Sequence, residues 1–473
     1  MIYVTRPFPG RACETAPVRW RGIGPGSAVV GCLALASLSW LIWPSATGYD
    51  PLSWAVWGRE VAHGRLSIAP GDATFKPLPV AVDALLTVLH APVLATWAVL
   101  MRAAGIGALL VAFLVGRRAA GTAAGICAAA LLLAIPWFVL PSTAQATAEP
   151  LEVLTLLAAV GYAVRRRPVP ALWCLAVLGL LRPEGWFLVV LTAAWLVWER
   201  RRAVGWVAPL VLVTVASWFV AEYAGSGHWG TGVAKAGTPT MGGPLLSRRP
   251  WLAVVAETYH TLPWWVWPIA AAGLVAVAVP LARRRVAPAR VALPLLLAGI
   301  AVAWLVVVAA MVQLRLSAGD ARYLAGTTVP VAMLAALIIG TMADRVTRSL
   351  GTRAVAVAIV LLVVLSGGGY ALGRVRQTRP LLAATYAQQA QLSQALTSTA
   401  VSRCARVATG PFRVPLLAWY LRRPLPAIGV IPAPGSVWVV PPEVRDPLPQ
   451  DVEYRSRYWR VARVCAAAVA ARR

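Results

Sequence analysis

The sequence predicts a mainly α, polytopic helical membrane protein of about 11 transmembrane helices, carrying a small C-terminal extracytoplasmic α/β domain. Three observations predict it. Of its 473 residues, 59% are hydrophobic and only 13% are charged, about half the charge of an ordinary soluble domain. The hydrophobicity is also segmented into runs of about 20 residues, the length that crosses a hydrocarbon core. Finally, arginine clusters punctuate those runs, as the positive-inside bias requires. A soluble enzyme and an intrinsically disordered chain are both excluded, the latter because too much apolar surface would stay in water.

The formal net charge of +27 does not point to nucleic acid. Lys76 and Lys235 are the only lysines, and the arginines gather at the ends of hydrophobic runs, where anionic membrane lipids account for them. No nucleic-acid motif accompanies them.

Residues 1–26 read as a polar cytoplasmic tail with Arg6, Arg11, Arg19 and Arg21. The first apolar run, 27–46, has a core too long for a cleaved signal peptide and reads as an anchor. A long first outer loop follows at 47–91. Further spans are expected at 92–115, 122–141, 150–164, 169–182, 185–198, 203–223, 264–282, 291–312, 324–343 and 351–371. The three short ones, 150–164, 169–182 and 185–198, either thin the bilayer or are re-entrant. This threading places Arg117–Arg118, Arg165–Arg167, Arg200–Arg202, Arg283–Arg285 and Arg345–Arg353 inside. Most carboxylates fall outside. Acids are weak topology signals, so an outer active site is the better account of their crowding. The domains are then the tail 1–26, the transmembrane part 27–371 and an outer part 372–473. The last begins with a helical stretch near 378–400 and continues with strand-like runs at 405–409 and 437–440. Cys404 and Cys465 both fall there, and in an oxidising compartment they are candidates for a disulfide.

The outer loop opens GYDPLSWAVWGREVAHGRL. Leu52, Ala55, Val56 and Ala62 recur at helical spacing, with Trp54 and Trp57 suited to an interface. A short surface helix is expected, with Asp50 as N-cap and Pro51 at its first position. Asp50 is therefore either a cap or a general base. Lys76 stands before Pro77 and a second amphipathic helix, either as a point charge for a phosphate or as a snorkelling interface lysine. Arg102 lies well inside an apolar span, a costly place that makes it a functional candidate. It faces either an anionic headgroup or a carboxylate such as Glu149 or Glu152. Arg182 and Glu184 lie in the outer turn LLRPEGW. Asp320, Arg322 and Tyr323 lie in GDARYL before a span. The loop 224–262, read together with Glu222, His228, Lys235, Glu257 and His260, is long enough to cover a substrate. No phosphate loop, HExxH or nucleophile elbow is present, and the histidines lack zinc spacing.

These features together resemble the GT-C class of integral-membrane glycosyltransferases, in particular actinobacterial members that use polyprenyl-phosphate sugars. They are the GYDP aspartate after the first span, the KPLP opening a second loop helix, the intramembrane Arg102, a span opening on Glu149, the turn LLRPEGW, and RYL before Pro330. The likeness covers the organisation of residues 1–345. It implies a multi-pass plasma-membrane enzyme that moves a sugar, mannose or arabinose, from a polyprenyl-phosphate donor to a glycan, lipid or protein acceptor with inversion. Asp50 would be the base. Lys76, Arg102, Glu149, Arg182, Glu184, Arg322 and Tyr323 would bind substrate. Some relatives carry two adjacent acids after the first span. Here Pro51 follows Asp50, so a bridging divalent cation is open to question. The alternative reading is a transporter or flippase of a lipid-linked glycan, for which Arg102 would lie on the pathway. No internal repeat of the transporter kind is evident.

Overall fold

The computed structural model describes residues 24–43, 45–69, 73–138, 144–240, 242–283, 288–350, 353–397, 406–431, 436–441, 450–455, 457 and 459–464. Cys404 and Cys465 lie outside the described residues, as does most of the N-terminal tail.

Each apolar run expected to span falls on a helix. Helix α1 covers Pro25–Ile42. The loop after it contributes two helices, α2 (Tyr49–Ala62) and α3 (Pro77–Val88). Helix α4, Val93–Leu133, holds two of the expected runs, separated at Ala120 and Gly121. Gly121 has φ +85°, a left-handed conformation that glycine adopts without steric cost, so the chain reverses between the two runs. Then come α5 (Glu149–Val164), α6 (Pro168–Leu181), a single 3-10 turn at Pro183–Gly185, α7 (Trp186–Glu199) and α8 (Val204–Ser226). The outer segment that follows carries α9 (Thr231–Ala236) and α10 (Pro250–His260). Helices α11 (Val266–Ala282), α12 (Pro288–Gln313), α13 (Ala325–Leu350) and α14 (Arg353–Thr397) complete the bundle.

Among the described residues, five helices are long and apolar enough to cross a membrane by length and composition. The 14-residue helices α6 and α7 extend only about 21 Å at 1.5 Å per residue, short of a core of about 30 Å. Helix α14 is the opposite case. Its 45 residues reach about 68 Å, so the stretch expected to begin near residue 378 continues the last apolar run without a break.

Beyond it, α15 (Val414–Tyr420) and five short strands form the C-terminal part. The strands are β1 (Val407–Ala408), β2 (Ile428–Gly429), β3 (Val437–Val440), β4 (Gln450–Arg455) and β5 (Arg460–Val464), ordered β2-β1-β3-β5-β4. β1 runs parallel to β2 and β3, whereas β5 is antiparallel to β3 and β4.

Two apolar cores organise the chain. One runs through α4, α5, α12 and α13, with Leu131, Leu156, Trp304 and Val329 fully buried. The other joins α2 and α3 to the C-terminal part through Trp54, Trp57, Trp97, Leu392, Leu417 and Trp459. The site lies where these two cores meet.

Candidate active site

Helix α2 begins at Tyr49, with Gly48 as its N-cap and no side-chain capping bond. Asp50 therefore sits in the first turn and is not the N-cap that the sequence pattern had suggested. Tyr49 takes the first helical position and Pro51 the third. Freed from capping, the Asp50 carboxylate accepts a hydrogen bond from Arg322 Nη1 at 2.9 Å.

Arg322 lies on a 3-10 turn, Ala321–Leu324, just before α13. The same Nη1 is 3.9 Å from Glu149 Oε1, and its Nε is 3.9 Å from Asp320 Oδ2. Glu149 opens α5, and Arg182 caps α6. Arg182 donates to Glu149 at 2.6 Å through Nη2 and to Glu152 at 2.7 Å through Nε. It is only 3% exposed, and one guanidinium serving two carboxylates supplies the pairing that buried charges need. The Tyr323 ring lies beneath both guanidinium groups, with centroid distances of 4.7 Å to Arg182 and 5.3 Å to Arg322. Such stacking favours the planar cation of arginine.

Lys76 precedes α3, is 5% exposed, and holds its Nζ 5.0 Å from the centre of the Trp54 ring. Among the described residues its ammonium makes no hydrogen bond. Burial, with Arg182 and Arg322 nearby, pushes it down to about 8 against the opposing pull of Glu149 and Asp50.

Asp50, Lys76, Arg182, Glu184, Arg322 and Tyr323 all border one cavity of about 280 Å³. Its remaining wall is largely apolar and aromatic, with Trp186, Trp218 and Phe219. The cavity can bind an anion at Lys76, offer a carboxylate at Asp50, and enclose an uncharged group against the aromatic wall.

Arg102 is elsewhere. It donates to Ser39 Oγ at 2.8 Å, to Ser45 Oγ at 3.1 Å and to the Trp43 carbonyl. It thus ties the C-terminal end of α1 to α4. The carboxylates expected to partner it, Glu149 and Glu152, are taken by Arg182. Glu149 stands behind the cavity wall, reaching the site through Arg182 and Arg322. Sequence reasoning did not anticipate Thr74 or the aromatic wall as cavity lining, whereas Glu222, read with the loop that could cover a substrate, does border the cavity. Trp218 and Phe219 resemble any membrane-facing aromatics.

The acids here do not suit a divalent cation. Among the described residues no three His, Cys, Asp or Glu side chains converge as metal ligands, and the Asp50 and Glu149 carboxylates turn toward guanidinium groups.

No protein-family model matches the chain, and no curated protein matches it in sequence. Solved structures match in fold, among them two of one protein. ArnT from Cupriavidus metallidurans bound to undecaprenyl phosphate aligns at a TM-score of 0.53 and 15% identity, covering 93% of this chain and 98% of that one. The same protein in the apo state aligns at 0.52 and 16%, with the same coverage. At such identity the likeness is one of fold, and it runs nearly the full length of both chains. The mainly α architecture with a small C-terminal sheet is thus a fold this chain shares with ArnT.

Proposed function

We propose that this chain is a glycosyltransferase that moves a sugar from a polyprenyl-phosphate donor to an acceptor hydroxyl at the outer face of the membrane. One observation carries the reading. A buried lysine without a hydrogen-bond partner among the described residues shares a cavity with a carboxylate–arginine pair, and the rest of that cavity is largely apolar and aromatic. The match to a protein whose structure holds undecaprenyl phosphate supports a lipid phosphate as the anion.

In this reading the donor phosphate docks on Lys76 and Arg322. Asp50 takes the proton from the acceptor hydroxyl as its oxygen attacks the anomeric carbon. The new carbon–oxygen bond forms as the bond to the phosphate oxygen breaks. The electron pair leaves with the polyprenyl phosphate, whose charge Lys76 and Arg322 hold in a water-poor site. One displacement inverts the anomeric configuration. Arg182, Glu149 and Glu152 fix the floor, and Tyr323 keeps the two guanidinium planes in register. Mannose and arabinose are the donors implied by the resemblance; the acceptor is a glycan, lipid or protein.

Asp50→Asn tests the chemistry. It preserves shape and a hydrogen-bond acceptor for Arg322, so binding of undecaprenyl phosphate should persist within a few-fold. Sugar transfer by the purified protein should fall by about 10²-fold or more, the usual contribution of a general base. Transfer at the wild-type rate removes Asp50 from the mechanism. Flipping of a lipid-linked glycan in vesicles without any transfer favours the transporter reading.

A further inference from the structure

The cavity has two possible occupants besides the phosphate: the donor's sugar or the first part of its prenyl tail. Resting on the transferase reading above, we propose that the aromatic interior seats the saccharide, with Glu184 receiving a sugar hydroxyl, and that the tail runs elsewhere.

Glu184 sits on the 3-10 turn between α6 and α7 and borders the cavity. It is 4% exposed, and its buried Oε2 has no hydrogen-bond partner among the described residues. Its neighbour Arg182 attracts it but gives it no hydrogen bond among the described residues, because that guanidinium is turned to Glu149 and Glu152. A buried carboxylate oxygen left without a donor is costly. A ligand that brings an O–H to that position removes the cost, whereas a prenyl chain brings no donor and deepens it. A second acid borders the same space. Glu222 of α8 is 3% exposed and accepts the backbone N–H of Gly232.

The aromatic wall agrees. The indole N–H groups of Trp186 and Trp218 both donate to the Gly179 carbonyl, each at 3.0 Å. The rings stand perpendicular, at 81° and 6.1 Å, and Phe219 lies 5.9 Å from Trp186. With those donors engaged, the rings present only π faces and C–H edges to the cavity. A pyranose or furanose has the matching surface, C–H faces bordered by hydroxyls. The volume, about 280 Å³, sits at the lower limit of small-ligand sites, about 300–1,000 Å³, and is too small for a long prenyl chain.

The test uses the full chain in lipid nanodiscs, with two kinds of probe. One is undecaprenyl phosphate; the other is undecaprenyl phosphate carrying a single mannose or a single arabinose. Wild type should bind one of the sugar-bearing lipids more tightly than the bare lipid. Glu184→Gln and Glu184→Leu should bind the bare lipid within about twofold of wild type, which also shows that they are folded. For the sugar-bearing lipid, affinity should fall about tenfold in the first and up to about a hundredfold in the second, the range for losing a hydrogen bond to a charged group. Tighter binding of the bare lipid by Glu184→Leu would put the tail in the cavity and overturn the proposal. So would variants that bind the sugar-bearing lipid as wild type does. In both cases bare-lipid binding by wild type leaves the transferase reading standing. If wild type binds no probe, that reading falls and takes this one with it.

Discussion

Lys76 concentrates the physics of the site in one side chain. Burial pushes its ammonium down to about 8, while an unfolded lysine keeps its proton to about 10.4. Between those values the unfolded chain binds more protons than the folded one, so the protein's stability should rise with pH across that window. Function should move the other way. A neutral amine does not hold a phosphate, so affinity for undecaprenyl phosphate should fall as pH passes upward through about 8. Melting temperature and lipid affinity measured from pH 6.5 to 9.5 should therefore trend oppositely. Lys76→Met separates this residue from every other titrating group. It removes a buried cation that lacks a hydrogen-bond partner among the described residues, so the variant should melt no lower than wild type. It should bind the lipid about ten- to hundredfold more weakly, and the part of both pH trends that Lys76 supplies should vanish. A lower melting temperature would mean that the ammonium is held more favourably than its burial implies.

Helices α2 and α3 set where Asp50 and Lys76 stand, and one contact fixes their spacing. A Cβ added at Gly58 would lie 2.5 Å from the Asp83 Cβ and 2.8 Å from the Ala84 nitrogen, so the two helices touch almost backbone to backbone. Asp83 is 1% exposed, and neither carboxylate oxygen has a hydrogen-bond partner among the described residues. Burial holds it well above the usual carboxylate range. An acid raised in this way contributes stability at low pH that is lost as pH rises through its folded value. Asp83→Asn should flatten that loss, and the difference in melting temperature between the two proteins should widen with pH. Gly58→Ala should destabilise by about 1–3 kcal/mol, the usual cost of overpacking, and should lower transfer by displacing α3 and Lys76. At this scale the sequence was highly legible. Each apolar run became a helix, and the spacing of Leu52, Ala55 and Val56 correctly foretold α2. Periodicity reports which face of a helix is apolar, and nothing about what meets it across the chain. That is why Asp50 read as a cap, although its partner is Arg322, 272 positions away. It is also why Arg102 read as a site residue. Its cost inside an apolar run was visible, while the carbonyl and hydroxyls at the end of α1 that satisfy it were not. The outer acids were legible as a crowd, but which of them reach the cavity was decided by tertiary packing.

At the scale of the whole molecule, the C-terminal part is built into the body that carries the site. Leu392, Leu417 and Trp459 share a core with Trp54 and Trp57 of α2. Gln389 donates to the Thr47 carbonyl at 2.8 Å, just ahead of Asp50. The strongest tie is Arg59, near the end of α2. Its guanidinium donates to the carbonyls of Trp419 at 3.1 Å, Ala418 at 3.3 Å and Arg423 at 2.9 Å, and lies 5.4 Å from the centre of the Trp419 ring. The Ala418 and Trp419 carbonyls also accept the backbone N–H groups of Arg423 and Arg422, so the guanidinium is a second donor to each and reaches the Arg423 carbonyl as well, a three-way fit for a planar fork. Asp50 and Arg59 sit on the same helix, so loosening one end frees the other to tilt. Arg59→Ala should cost about 2–3 kcal/mol, from hydrogen bonds worth about 1 kcal/mol each. Amide exchange should quicken in both 49–62 and 414–423. Binding of bare undecaprenyl phosphate should change little, since Lys76 precedes a different helix, while the turnover rate falls because the base is no longer held. Arg59→Lys should recover only part of that loss. Faster exchange confined to 414–423, with turnover unchanged, would show that the C-terminal part rides on α2 without setting the position of Asp50.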